Sequence, residues 1–414
     1  MTVRSGRGGE ARRPSVGQAV DTALGAQAFA GRQPSAVRAA AVRGDPGVRT
    51  YADLVGELAD RGSLAGRWRQ VFEAVPRSEF VPAEVWRQLP DRCVPVVGAD
   101  AWWALVNSDE PIVTQLDDGV VGGPGVATSS NSMPSMVARM LGLLDVENGV
   151  RVLEIGTGTG YVAALLCERL GADLVHSVEV DPAVAGRAAD ALARAGYRPH
   201  IQVGDGEQGW PGLGLVDRLI ATCALRFVPH TLLRQVRPGG LVVAPLAREF
   251  WSGALVRLRV QGDGSAVGPF CGGATYMPMR SHRVPDLHEV RGRGRARAAG
   301  LDPARLLDLG FALFAGARLP GVRMIHQSVA GDGVRVWVTS EVGGASTASG
   351  EEVWQYGIGL LWEEIEQTWW EYESAGRPGA EEFGLTVTDR GQQVWLRDPG
   401  GIIGTGKEEY PRGV

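Results

Sequence analysis

Lysine is nearly absent from this sequence: Lys407 is the only one among 42 basic residues, so almost every positive charge is an arginine. Such usage reflects base composition of the gene and carries no chemistry. Acidic residues number 47, for a formal net charge of -5, so the basic field that phosphate neutralisation needs is missing and no nucleic-acid partner is expected. Cysteine is scarce. Cys93, Cys167, Cys223 and Cys271 show no C-x-x-C spacing, which removes a zinc ribbon and a thioredoxin-type pair and leaves reduced, structural thiols. The six histidines form no HExxH and no close pair, so no metal site is encoded. No run approaches the roughly 18 to 20 apolar residues of a membrane span, and mean hydropathy is -0.05. Basic residues within Met1 to Arg13 are not followed by an apolar stretch with a cleavage site. The expectation is a soluble, cytoplasmic protein that meets no membrane.

What is present is an ordinary globular mix, 44% hydrophobic and 21% charged over 414 residues, long enough for two or three domains at about 150 residues each. Residues 1 to 48, rich in Gly, Arg, Ala, Ser and Pro, read as a mobile arm with a short helix around Gly17 to Phe29. Residues 49 to 145 read as a helical and loop module contributing to the substrate site. Leu54, Leu58, Leu64, Trp68 and Phe72 stand at helical spacings that break at Val75-Pro76, and Cys93 to Asn131 reads as irregular loops and short strands.

From 146 to 282 strands alternate with helices. Strands are expected over Val150 to Ile155, Leu174 to Val180, His200 to Val203, Leu215 to Ala221 and Leu241 to Pro245, and helices over Tyr161 to Leu170, Ala183 to Ala195 and His230 to Val236. That pattern calls for a mainly parallel α/β sheet of Rossmann-like type, with antiparallel additions at Ala254 to Val260 and Ala274 to Met279. Residues 283 to 400 read as a separate small α+β domain with its own core, and 401 to 414 as a tail. In it a helix is expected over Pro303 to Phe314, strands over Gly321 to Val329 and Gly333 to Ser340, and an amphipathic helix over Leu360 to Glu373. Final strands are expected over Phe383 to Asp389 and Gln393 to Leu396. Six of the twelve tryptophans fall here, as core filling or as an aromatic peptide-docking surface. Arg291, Arg293, Arg295 and Arg297, alternating with Gly and Ala, read as a solvated linker, with an acidic partner as the alternative.

Chemistry concentrates in Val152 to Tyr161, where Glu154 is followed by Gly156-Thr157-Gly158-Thr159-Gly160-Tyr161, a strand running through a glycine turn into a helix. Glycines permit positive φ and close backbone approach, and the helix N-terminus behind them offers free N–H groups to a nucleotide-like ligand. The third glycine falls at the fifth position of the turn, where a dinucleotide fingerprint places it at the sixth. That spacing tilts the reading from NAD to S-adenosylmethionine. Glu179, about 20 residues on, ends the next strand, where a carboxylate accepts ribose hydroxyls. Asp205-Gly206 ends the third, where a carboxylate and a backbone N–H read adenine. Loop, ribose acid and adenine acid at three successive strand ends form the candidate cofactor site.

These residues resemble the protein-L-isoaspartate O-methyltransferases over about Val71 to Met279. Val75-Pro76-Arg77-Ser78-Glu79-Phe80-Val81-Pro82 is similar to the family's N-terminal motif, and Asn131-Ser132-Met133-Pro134 to its Ile-Ser-x-Pro segment. Gly204-Asp205-Gly206 is similar to its adenine-side motif, Arg237-Pro238-Gly239-Gly240 to the turn before its next strand, and Tyr276-Met277-Pro278-Met279 to its late Phe-x-Pro strand. The resemblance implies a class I methyltransferase domain using S-adenosylmethionine and releasing S-adenosylhomocysteine. It places Ser132 beside the methyl-accepting carboxylate; Ser132 also reads as the N-cap of the next helix. Met133-Pro134 after the serine, the long Gly98 to Val126 segment and everything beyond about Arg283 depart from the family.

The segments Ser108 to Gln115 and Thr128 to Ser135, with Phe383 to Thr388 and Val394 to Leu396, look like the methyltransferases of ribosomal-peptide gene clusters, which accompany ATP-grasp (graspetide) or lanthipeptide enzymes. That resemblance implies a modified, macrocyclised precursor peptide as partner. It implies esterification of an aspartate and then an aspartimide or isoaspartate, with residues 283 to 400 and the 98 to 130 loop as recognition surface. Repair of spontaneously formed isoaspartate and non-catalytic cofactor binding beside a peptide synthetase are the alternatives. An aspartate side chain is already ionised at neutral pH, so no general base is required and Ser132 with nearby N–H groups has only to align it.

Overall fold

The computed structural model describes residues 49–64, 66–90, 92–251, 253–284, 294–329, 333–341, 343–347 and 352–404. The expected arm at 1–48, Arg291 and Arg293 of the arginine strip, Lys407 and the tail from 405 onward lie outside the described residues.

The single helical run expected up to Phe72 is two helices, α1 (Tyr51–Asp60) and α2 (Gly66–Ala74). Thr50 and Asp53 form a reciprocal cap at the start of α1, satisfying donors a helix start leaves open. At its other end Gly62 takes φ +72° and the N–H groups of Ser63 and Leu64 return to the Leu58 carbonyl. The chain thereby turns, and Leu54, Leu58, Trp68 and Phe72 bury in one cluster from two helices. The stretch expected as irregular loops and short strands contributes to a small antiparallel sheet. Its strands are β1 (Trp86–Gln88), β2 (Cys93–Pro95), β3 (Ile112–Leu116) and β4 (Ala127–Asn131), in the order β2-β1-β3-β4, with α3 (Ala99–Val106) between β2 and β3. Helix α4 (Pro134–Leu144) follows β4 directly, burying Val137, Met140, Leu141 and Leu144.

The alternating region is built as expected, with shifts of a residue or two at several ends: β5 (Val152–Ile155), α5 (Tyr161–Leu170), β6 (Val175–Glu179), α6 (Pro182–Ala195), β7 (His200–Val203) and β8 (Val216–Ala221). Helix α7 (His230–Leu233) is shorter than expected, because β9 (Val236–Leu246) starts at Val236 and takes in the Arg-Pro-Gly-Gly turn. Strands β10 (Ala254–Val260) and β11 (Ala266–Gly273) form a hairpin. The second antiparallel strand thus lies before Ala274, and Tyr276 to Met279 runs beside Ala224 as a single bridge. β5 lies between β6 and β8, all parallel, so the strand order reverses at β5, the place where open α/β sheets bind ligands beyond their carboxyl ends.

Beyond residue 294 come β12 (Arg295–Ala298), α8 (Leu309–Arg318), β13 (Arg323–Val329), β14 (Gly333–Ser340), β15 (Gly343–Thr347), β16 (Glu352–Gly357), α9 (Leu361–Ser374), β17 (Phe383–Thr388) and β18 (Gly391–Leu396). Strands β12 to β16 form a five-stranded antiparallel sheet. Arg295 and Arg297 are therefore strand residues pairing with Gln355 and Val353, not linker. Residues 303 to 307 are a 3-10 turn before α8, because Asp308 caps a new helix start there. A boundary at 283 does not separate the final strands: β17 pairs with β11, and the central sheet runs β18-β17-β11-β10-β9-β8-β5-β6-β7. Nor is the core separate, since Phe311, Val336, Trp362 and Phe383 share one buried cluster with Leu219, Val242 and Phe270. Trp362, Trp369 and Trp395 fill that region's interior, whereas Trp354 and Trp370 are exposed.

Candidate functional site

A cavity opens beyond the ends of β5, β6 and β8, where open α/β sheets bind their ligands. Of the residues singled out in the sequence, Ser132, Glu154, Gly156, Thr157, Gly158, Thr159, Tyr161, Glu179 and Gly206 line it. Gly160 instead starts α5 in a left-handed conformation. Asp205 is exposed, and its Oδ1 accepts the Glu207 N–H at 3.0 Å; the backbone of Gly206 is what reaches the wall. Glycine is required at Gly156, with φ +95° and a Cβ position 3.0 Å from Thr222 Oγ1, and at Gly206, where a Cβ would lie 2.6 Å from Ile155 Cγ2.

Glu179 sets the shape of the loop. Its carboxylate accepts the N–H of Gly158 at 2.9 Å and that of Asp181 at 3.1 Å. A polar chain lies beneath: Thr157 and Ser177 hydroxyls are 2.6 Å apart, and Ser177 donates to Glu154 Oε2 at 2.6 Å. Glu154 Oε1 is buried without a hydrogen-bond partner. Burial, with the Glu179 charge adding to it and the Ser177 hydroxyl opposing, pushes the Glu154 carboxyl up to about 8. An orphaned polar oxygen in the cavity wall fits a ligand that brings its own donor or cation. Cys223 also lines the wall, but burial pushes its thiol up to about 12, so it stays protonated and is no nucleophile.

The N-terminal module closes the opposite side. Arg77, fully buried, donates through Nε to Asn131 Oδ1 at 2.7 Å and through Nη2 to the carbonyls of Asn131 and Ser132. Asn131 in turn donates to Thr159 Oγ1 at 2.9 Å. Ser132 does not cap α4: Met133 occupies that position without a side-chain bond, and Asp109 Oδ1 accepts the Ser135 N–H at 2.9 Å instead. The Ser132 side chain is left free for the cavity, whose wall also holds Tyr276. The Tyr161 hydroxyl turns away, to Tyr51 Oη at 2.7 Å.

Sequence reasoning assigned no role to a second group at the rim. Arg280 donates to Asp118 at 2.9 Å and Asp181 at 3.2 Å, Arg283 donates to Asp118 at 3.0 Å, and Gln115 donates to Asp181 at 3.1 Å. The Arg283 and Arg280 guanidiniums hold the Asp118 carboxyl below its ordinary value. The Asp181-Pro182 pair was a legible N-cap signal; its link to Arg280, 99 residues away, was not. Among the described residues no cluster of His, Cys, Asp or Glu could hold a metal ion, and no helix is long and apolar enough to cross a membrane.

Comparison with known proteins matches this chain to one family. The sequence model of the protein-L-isoaspartate(D-aspartate) O-methyltransferase family matches residues 49–284. The protein-L-isoaspartate O-methyltransferase 1 of Nitrosospira multiformis is 38% identical over 150 residues, covering 36% of this chain and 63% of that protein. The protein-L-isoaspartate O-methyltransferase of Thermococcus onnurineus is 34% identical over 214 residues, 51% of this chain and 84% of that protein. A solved protein-L-isoaspartate O-methyltransferase aligns over 84% of this chain and all of its own, with 20% identity and a TM-score of 0.49. This chain belongs to the protein-L-isoaspartate(D-aspartate) O-methyltransferase family, a family of S-adenosylmethionine-dependent carboxyl O-methyltransferases.

Proposed function

We propose that this protein esterifies the side-chain carboxylate of an aspartate in a ribosomally made, modified peptide. S-adenosylmethionine supplies an electrophilic methyl group on a cationic sulfur. The loop from Gly156 to Tyr161, Glu179 and the Gly206 backbone hold it, with Glu154 beneath. The acceptor carboxylate sits at Ser132. Its oxygen forms the new C–O bond as the C–S bond breaks, and the electron pair of that bond stays on sulfur. Charge is neutralised on both partners and no proton moves, so alignment and exclusion of water are the protein's work. Ser132 and Tyr276 orient the carboxylate; Arg77 holds the Ser132 backbone; Asp118, Arg280 and Arg283 tie the β3–β4 hairpin across the rim. In the ester product the next backbone nitrogen attacks the carbonyl, loses its proton and expels methanol, giving an aspartimide that water opens to isoaspartate.

The observation that carries the peptide reading is the continuity of residues 294–404 with the central sheet and core, although they lie outside the 49–284 family match. The segment joins that sheet at its β11 edge, with β9, β10 and β11 between it and the cavity-bearing strands, and in this reading it offers peptide-docking surface beyond the family's shared part. Repair of isoaspartate in damaged proteins is the second reading, favoured by the family match enclosing every cavity residue named above. The two separate on a linear isoaspartyl peptide and an aspartyl precursor peptide macrocyclised by an ATP-grasp or lanthipeptide enzyme. Methylation of the cyclised aspartyl peptide supports tailoring; turnover of the isoaspartyl peptide alone supports repair.

A further inference from the structure

Two short 3-10 turns, Gly206–Gln208 and Arg280–His282, meet at the end of the cavity assigned to adenine. The first brings the Gly206 backbone to the wall, and the second begins with Arg280, which also lines it. His282 is only 5% exposed. Its Nδ1 accepts the Arg226 N–H at 3.0 Å, and its ring lies against Phe227 with centroids 4.4 Å apart. Arg226 is itself held, donating through Nε to Glu249 Oε1 at 2.6 Å. An imidazole that accepts through Nδ1 carries its hydrogen on Nε2. That Nε2 is buried and has no hydrogen-bond partner among the described residues. Glu207 Oε2 stands 3.6 Å from it, just beyond hydrogen-bonding reach. Burial, against the pull of the Asp205 charge, pushes the imidazole down to about 4, so the group is a neutral donor. Folded proteins rarely leave so deep a donor unpaired.

We propose that His282 is a positioning residue for the adenine of the cofactor, its Nε2–H closing on the Glu207 carboxylate and fixing the Asp205-Gly206-Glu207 turn when the nucleoside binds. This rests on the assignment of that turn to adenine and names what holds it. The backbone of the turn is already placed: Asp205 Oδ1 accepts the Glu207 N–H at 3.0 Å, and the Glu207 carbonyl accepts the Thr231 hydroxyl at 2.6 Å. Gly206 is packed so closely that a Cβ there would lie 2.6 Å from Ile155 Cγ2 and 3.3 Å from Met279 Cε. The turn therefore has no room to slide inward, and closure falls to rotation of the Glu207 side chain. The bond formed joins a neutral N–H to a carboxylate, a charge-assisted contact with no proton transferred. Its effect is selective. Asp205 and the Gly206 N–H suit adenine, which offers an amino donor beside a ring acceptor, whereas hypoxanthine offers the reverse, a carbonyl beside a ring N–H. A turn held in place sharpens that preference.

The test uses the full-length protein, its His282→Leu, His282→Gln and Glu207→Ala variants, and two ligands measured by calorimetry, S-adenosylhomocysteine and S-inosylhomocysteine. The wild type binds the adenosyl compound more tightly. His282→Leu keeps an apolar side chain against Phe227 and lowers adenosyl affinity about tenfold, the loss expected for one hydrogen bond to a charged group. Inosyl affinity changes less, so the preference narrows. Glu207→Ala, at a partly exposed side chain, gives the same result and decides the matter should His282→Leu misfold for want of an acceptor for Arg226. His282→Gln, whose amide accepts from Arg226 and donates to Glu207, retains most of the preference. In protein isotope-labelled at histidine, magnetic resonance follows the bond itself. S-adenosylhomocysteine shifts the His282 Nε2–H signal downfield and protects it from exchange in the wild type, and does neither in Glu207→Ala. Equal losses for the two ligands make His282 part of the scaffold and overturn the inference, as does a His282 signal that the ligand leaves unchanged. If the wild type binds both ligands equally, the adenine assignment of the turn fails, and the role of His282 with it.

Discussion

The guanidinium of Arg77, fully buried, donates to the carbonyl oxygen of Ser132 at 3.1 Å. It also reaches the carbonyls of Ser108 at 3.1 Å and Glu110 at 2.7 Å, besides both oxygens of Asn131. Burial lowers its pKa only to about 10, so it stays charged. The Val-Pro-Arg and Asn-Ser-Met-Pro motifs, 54 residues apart, are thus one device: the first holds the backbone of the second against the cavity.

Arg77→Lys removes the fork that satisfies these carbonyls together. Leaving buried polar groups without partners costs on the order of 3 to 5 kcal/mol, and a clear fall in the thermal midpoint is the expected outcome. An unchanged midpoint would mean that the network contributes nothing to folding.

Glu179 holds the N–H groups of Gly158 and Asp181 and is the acid proposed for the ribose. Glu179→Ala removes both functions, and calorimetry should show S-adenosylhomocysteine affinity weakened by about a hundredfold, or ~3 kcal/mol. Glu179→Gln, which keeps an acceptor oxygen, loses less. Wild-type affinity in both variants would displace Glu179 from the site.

Glu154 couples stability to pH. Its carboxyl is raised from 4.5 to about 8 in the folded chain, so between those values the folded state holds a proton that the unfolded state has released. Stability from this group is therefore complete below the lower value and declines as pH rises through the window. Glu154→Gln carries no such proton. The difference in thermal midpoint between Glu154→Gln and the wild type should shift in the variant's favour from pH 5 to pH 8 and then level off. A difference constant across that range contradicts the assignment.

Asp118 ties the β3–β4 hairpin to Arg280 and Arg283 at the rim. These groups are partly exposed, so Asp118→Asn should speed S-adenosylhomocysteine dissociation by up to about fivefold, as an ion pair of ~1 kcal/mol allows. Stopped-flow displacement reads this directly; added salt should speed release from the wild type more than from the variant.

Ending the chain at Arg283 would strip β17 from β11 and expose the cluster that Phe383, Leu385 and Trp362 share with Phe270. Such a truncation is expected to aggregate on expression although it retains nearly all of the family's matched segment. A monodisperse, cofactor-binding truncation on gel filtration would show that the sheet closes without its last strands.

The parallel core was legible because its signals are local. Helix Tyr161–Leu170 and strand His200–Val203 fall where periodicity placed them, as does the antiparallel strand Ala254–Val260 beside that core, and the glycine loop announces itself by spacing. What escaped depends on distant partners. Cys93 to Asn131 reads as irregular loops and short strands, and its sheet escaped because β2, like its partner β1 before it, is three residues long and gains identity only by pairing. β15 was missed because Gly343 and Gly344 carry no alternation, and Gly343 packs instead against the Tyr356 carbonyl of β16. The final strands read as part of a separate domain, since nothing within Phe383 to Thr388 records that its partner is β11, more than a hundred residues earlier. In the site, the glycine loop and Glu179 were readable from motif spacing. Tyr276 appeared only as part of a strand motif, and its place in the same cavity wall as Ser132 exists only in three dimensions.

The most direct measurement incubates the full-length protein with S-adenosylmethionine labelled in its methyl group and the aspartyl and isoaspartyl peptide pair, then treats the product with mild base. Methyl transfer to a side-chain carboxylate predicts label on the peptide that leaves as volatile methanol, and its disappearance in Glu179→Ala. Label that survives base, as an N- or S-methyl group would, or a peptide that stays unlabelled although the cofactor is bound, contradicts it.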